Sequence, residues 1–207
     1  MATSLGNFRK GVPDNPLRCA IFISGSGSGM HALLEYQKQK KDCRHTTVLV
    51  VSNNSEAGGI QIAKDLAIPV EVVELPQIEN KQERRLIHES EINILLERFN
   101  VELIILSGYM RLLSSDFVDN WNMKIVNIHP SLLPNFPGAH AHRDVLAAGV
   151  NLSGCTVHFV DAGMDTGQII AQRKVPVFPD DTIETLSKRV KIEEHILYPL
   201  VIDELSK

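Results

Sequence analysis

Short apolar runs that alternate with amphipathic segments constrain this chain most. Residues 19–23, 46–52, 70–73, 101–106 and 125–129 are each of strand length and rich in aliphatic and β-branched side chains. Between them lie stretches that predict helices over 30–39, 56–67 and 81–99, the last with Leu86, Ile87, Ile92, Ile94, Leu95 and Phe99 on one side and charges on the other. Strand and helix in turn require crossover connections, and right-handed βαβ units generate a mostly parallel sheet covered on both faces. A further helix over 139–148 ends at Gly149. The rhythm then changes: 154–160 and 169–177 are strand-like and separated by only residues 161–168, too few for a crossover. An antiparallel excursion follows. The last helix is expected to start at Asp181, whose spacing to Glu184 suits a capping box, and to bend at Pro199. The fold class is therefore α/β, a mostly parallel twisted sheet with helices on both faces and an antiparallel part near the C-terminus.

Residues 1–18, small and polar with Pro13 and Pro16, read as a flexible N-terminal extension, and 19–207 as a single domain. A net charge of −4 argues against general affinity for nucleic acid, while a local basic patch for a small anion remains compatible with it. Cys19, Cys43 and Cys155 show no C-x-x-C spacing and form no disulfide framework. With no secretory core and no run of roughly 20 apolar residues, the expectation is a cytoplasmic chain without membrane partners.

Two stretches can carry chemistry. Ser24-Gly25-Ser26-Gly27-Ser28-Gly29 joins the first strand to the first helix, where glycines permit close backbone approach and helix amides favour an anion. Its spacing fits neither a dinucleotide fingerprint nor a P-loop, and a turn without a ligand explains it equally well. The second stretch is 125–138. Its apolar run carries Asn127 and His129 at alternate positions, on one side of an extended strand, before Pro130, Pro134 and Pro137 stop it. Ligands of open α/β sheets bind beyond the carboxyl ends of strands. Reaction at a carbonyl carbon requires donors for the oxyanion and a group that passes a proton near neutrality, which asparagine and histidine supply. Asp165, on the glycine-flanked loop 163–167, is the carboxylate best suited to partner His129. The competing account has Asn127 and His129 capping a strand and Asp165 shaping a turn. His140 and His142 lack metal-ligand spacing; His158 reads as packed or at the surface, and His195 as a brace for the last helix.

Asn127-Ile128-His129-Pro130-Ser131-Leu132-Leu133-Pro134 with Phe136 and Gly138 resembles the signature of the folate-dependent formyltransferases. Gly154–Val160, Met164–Ile170, the front Ser24–Ser28 loop and the 190–201 stretch are similar to the phosphoribosylglycinamide formyltransferase branch. The resemblance covers 19–207. It implies transfer of the formyl group of 10-formyltetrahydrofolate to the amine of glycinamide ribonucleotide, with these two small molecules as partners, no metal, no nucleic acid, and a monomer or homodimer. Carried over by position, Asn127, His129 and Asp165 match catalytic residues. Gly27, Ser28 and Gly29 match the phosphate loop, and Glu194 a ribonucleotide contact. Arg85, Met110, Arg111, Leu113 and Val118 match the folate site, with Arg84 the alternative to Arg85 for the glutamate tail. Gly29 departs from the asparagine common in the family, and the chain stops soon after its last helix. Related formyl enzymes are the alternatives: formyltetrahydrofolate hydrolase and methionyl-tRNA formyltransferase, which normally carry an extra domain, and sugar-nucleotide formyltransferases. A non-catalytic folate- or nucleotide-binding relative would not need the Asn-His-Asp set. A dinucleotide oxidoreductase fits poorly, lacking the third glycine and the acidic residue after the second strand.

Overall fold

The computed structural model describes residues 6–207. In chain order the elements are β1 (Leu17–Ile23), α1 (Ser28–Gln39), β2 (His45–Ser52), α2 (Gly59–Asp65), β3 (Val70–Val72), α3 (Lys81–Arg98), β4 (Leu103–Leu106), α4 (Ser115–Asn120), β5 (Ile125–His129), α5 (Ala141–Ala147), β6 (Leu152–Phe159), β7 (Ile169–Pro176) and α6 (Ile183–Leu205). They build one sheet of order β3-β2-β1-β4-β5-β6-β7. The pairs from β3 to β5 are parallel, whereas β5–β6 and β6–β7 are antiparallel.

β1 is central, which is why it is apolar without alternation: both of its faces are covered. Leu17, Cys19, Ile21 and Ile23 join the core cluster that contains Met30 and Leu33 of α1, Ile60 and Ala63 of α2, Val145 of α5 and Val190 of α6. Ala20 and Phe22 join the opposite cluster with Ile92 and Leu96 of α3 and Phe117 and Val118 of α4. Alternate β1 residues thus anchor two helical layers.

The structure moves several expected boundaries. β1 starts at Leu17, so Leu17 and Arg18 are strand rather than extension. Of the expected extension, residues 1–5 lie outside the described residues. Beyond them, the Gly11 amide donates to Ser206 O at 2.8 Å, Lys10 Nζ to Leu205 O at 3.0 Å, and Arg9 Nη2 to Glu102 Oε2 at 2.7 Å. β4 begins at Leu103, because Asn100 at φ +48° and the Val101 amide on Leu96 O first close α3. α4 was not expected; Ser114 caps it by accepting from the Phe117 amide at 3.2 Å. α6 starts at Ile183, two residues later than expected, with Thr182 and Thr185 as the reciprocal cap. Asp181 is engaged elsewhere: it accepts two bonds from Arg189, at 2.7 and 2.8 Å, and the Phe178 amide. Pro199 lies inside α6, beside Tyr198, whose buried hydroxyl is 2.9 Å from both Leu106 O and Val126 O. That phenol ties the carboxyl end of β4 to the start of β5.

Candidate active site

β5 brings Asn127 and His129 to the end of the sheet, as the run before Pro130 requires. The antiparallel register adds a third group, since His158 of β6 is the direct cross-strand partner of Asn127. Its Nε2 lies 3.2 Å from Asn127 Nδ2 and its Nδ1 donates to Phe159 O at 2.8 Å. With the ring proton on Nδ1, Nε2 accepts from the Asn127 amide and fixes that amide's orientation. The sequence reading of His158 as packed is half right, since it is 2% exposed, but it also belongs to the cluster. Only the register, which the sequence does not display, reveals this.

Asp165 closes the group. It sits at φ +56°, a left-handed conformation in which aspartate and asparagine are the favoured non-glycine residues. Oδ2 accepts from the Gly138 amide at 2.8 Å and lies 3.3 Å from His129 Nδ1; Oδ1 is 3.6 Å from His158 Nε2. Thus Asn127, His129 and Asp165, expected to converge, do so through named contacts. His129 Nε2 donates to Phe136 O at 2.9 Å. Both ring nitrogens therefore face oxygen atoms, Phe136 O at Nε2 and Asp165 Oδ2 at Nδ1. Burial pushes the Asp165 carboxyl upward. The Gly138 amide and the neighbouring His158 and His129 imidazoles outweigh it and hold the carboxyl below its usual range. The result is a buried contact of carboxylate and imidazole beside an amide whose second hydrogen has no partner among the described residues.

On the other side, the glycine loop meets the same sheet end. Gly27 has φ +71°, and a Cβ there would come 2.6 Å from Gly59 Cα, so glycine is demanded by the packing of the loop on α2 as well as by any ligand. No side chain caps α1, and the first-turn amides of Ser28, Gly29 and Met30 have no acceptor within the helix. Ser24 Oγ accepts from the Met110 amide at 2.8 Å and donates to Asn53 Oδ1, tying this loop to the segment after β4. Glu194, on α6, has its carboxyl pushed up to about 7 by burial, with Lys191 pulling the other way.

Beyond β4, Arg85, Arg111 and Leu113 line a cavity of about 260 Å³ together with Leu75, Lys81, Arg84 and Tyr109. Arg84 and Arg85 both reach it, and Arg84 Nε is buried with no partner among the described residues. Met110 is 71% exposed and does not line it; Val118 is 5% exposed and packs in the core behind α4. The sequence assignment thus splits into cationic residues on the wall and an apolar residue that supports it.

Cys43, His45 and Asp203 place ligand atoms within 4.8 Å of one another, yet the cluster is poorly suited to a metal ion. Lys40 and Lys207 ammoniums already sit 3.0 Å from Asp203 Oδ2. Gln37 Oε1 accepts from the Thr47 amide and hydroxyl, which turns its Nε2 toward His45 Nδ1 at 2.9 Å. His45 Nε2 then carries the ring proton and has no lone pair to offer.

Residues 17–202 match the formyl transferase family. The chain belongs to this family. Among relatives, it is 36% identical over 188 residues to the phosphoribosylglycinamide formyltransferase of Escherichia coli, covering 90% of this chain and 85% of that protein. It is 44% identical over 188 residues to the trifunctional purine biosynthetic protein adenosine-3 of Bos taurus, covering 91% of this chain but 18% of that protein. The chain thus spans about a fifth of the length of such trifunctional relatives. The crystal structure of phosphoribosylglycinamide formyltransferase from Brucella melitensis superposes with a TM-score of 0.85 at 43% identity, covering 93% and 96% of the two chains.

Proposed function

We propose that this chain transfers the formyl group of 10-formyltetrahydrofolate to the amine of glycinamide ribonucleotide, a step of purine synthesis, in the cytoplasm. The observation that carries the reading is the Asn127–His158–Asp165–His129 cluster at the end of β5, on the same sheet end as the glycine loop, in a chain of this family. The substrate amine attacks the formyl carbon; a carbon–nitrogen bond forms and the carbonyl electrons move to oxygen. The free hydrogen of Asn127 Nδ2 donates to that oxyanion, and the His129 charge, balanced by Asp165, stabilises it at short range. Collapse breaks the bond to N10 of the folate, the amine gives up a proton and N10 receives one. Asp165, next to the partly open mouth, serves this transfer. His129 donates directly only after its Nε2 turns from Phe136 O, so in the geometry described here it acts through its charge. The cationic cavity holding Arg85 and Arg111 fits the carboxylates of the folate's glutamate tail.

The experiment incubates the protein with both substrates and follows tetrahydrofolate. Turnover that depends on the ribonucleotide is expected. Equal turnover with water as the only acceptor would replace this reading with a hydrolase.

A further inference from the structure

Ser107 follows β4, and its amide donates to Phe22 O at 2.9 Å, which fixes the backbone between β1 and β5. The residue is 8% exposed, and its hydroxyl has no hydrogen-bond partner among the described residues. The hydroxyl oxygen itself is not among the buried unsatisfied atoms, so it is open to solvent and a ligand can reach it. Its direction is given by its neighbour: a Cβ built on Gly29 would lie 2.8 Å from Ser107 Oγ, with no other atom within 4 Å. The hydroxyl therefore occupies the room that glycine leaves open on the first turn of α1. The unpaired amides of Ser28, Gly29 and Met30 are on that same turn.

We propose that the Ser107 hydroxyl is a substrate-binding group that joins the α1 amides in holding the phosphate of the ribonucleotide. The naming of the phosphate's carrier rests on the proposed function; the anion itself rests on the helix terminus and the unpartnered hydroxyl. Gly29 and Ser107 act as a pair, because a side chain at 29 and a hydroxyl at 107 compete for one space. This gives the glycine at 29 a reason within this chain.

The test compares wild type, Ser107→Ala, Gly29→Asn and the double variant by steady-state kinetics, with inorganic phosphate as a competing ligand. A lost hydrogen bond to an anion raises KM for the ribonucleotide about tenfold or more, with KM for the folate donor and the melting temperature unchanged. Phosphate competition weakens by the same factor. Gly29→Asn harms binding in the wild type and much less in Ser107→Ala, where the space is free. The proposal is overturned if folded Ser107→Ala keeps ribonucleotide KM and phosphate affinity within twofold of wild type, or if Gly29→Asn acts equally in both backgrounds. Ser107→Cys, close in size and a weak donor, gives the same reading should the alanine variant misfold. A wild type inert toward the ribonucleotide whose phosphate affinity still depends on Ser107 would overturn the proposed function and support this assignment.

Discussion

Replacing Asp165 by asparagine removes the charge that faces two imidazoles and changes little else. The backbone at 165 has φ +56°, which asparagine adopts as readily as aspartate, and an amide oxygen can still accept from Gly138 N–H. Alanine would add backbone strain and confuse the result. The carboxylate lies 3.3 Å from His129 Nδ1, and both side chains are largely buried. At an effective dielectric of about 20, a full charge pair at that distance is worth about 5 kcal/mol, an upper bound once solvent and other dipoles respond. If about 3–4 kcal/mol of it is used in the transition state, kcat falls by about 10²- to 10³-fold. KM for both substrates should move by less than threefold. The assay is steady-state turnover. A folded variant that keeps more than a tenth of the wild-type kcat would refute the pairing argument.

Three further outcomes follow from the geometry. Glu194 titrates near 7 in the folded chain and near 4.5 when unfolded, so its contribution to stability is fully present below 4.5 and is lost as pH rises through 7. The wild type should lose up to about 3 kcal/mol between those values relative to Glu194→Gln, measured by urea unfolding across pH, and parallel curves would contradict this. Gly27→Ala combines a Cβ placed 2.6 Å from Gly59 Cα with a left-handed backbone. A loss of at least about 2 kcal/mol is expected, seen as a melting temperature lower by roughly 4–8 °C. Tyr198→Phe withdraws the hydroxyl shared by Leu106 O and Val126 O and should cost about 1–2 kcal/mol. Faster amide exchange at the end of β4 and the start of β5 would report the loosened join, and an unchanged exchange pattern would argue against it.

The residues themselves show why some of this was legible in the sequence. Ile125–His129 is a strand with the expected bounds because its apolar run meets proline, a purely local event. The hairpin of β6 and β7 follows from a connection too short to cross over. α4 escaped because six residues with one apolar pair, Phe117 and Val118, give no period to recognise. The true start of α6 was hidden by Arg189, eight positions along, which takes Asp181 out of the cap. His158 was the largest omission in the site. A strand buried on both faces gives no hint of which neighbour it meets, and only the pairing of β5 with β6 sets it against Asn127. Gly27 likewise needs Gly59, distant in sequence and touching in space, to explain why no side chain is tolerated there.

Transfer of a labelled formyl carbon is the most direct test of the central claim. With 10-formyltetrahydrofolate carrying the label and glycinamide ribonucleotide present, the label should appear on the ribonucleotide in step with tetrahydrofolate, and Asp165→Asn should slow both together. Label recovered as formate at the same rate with or without the ribonucleotide would contradict the account.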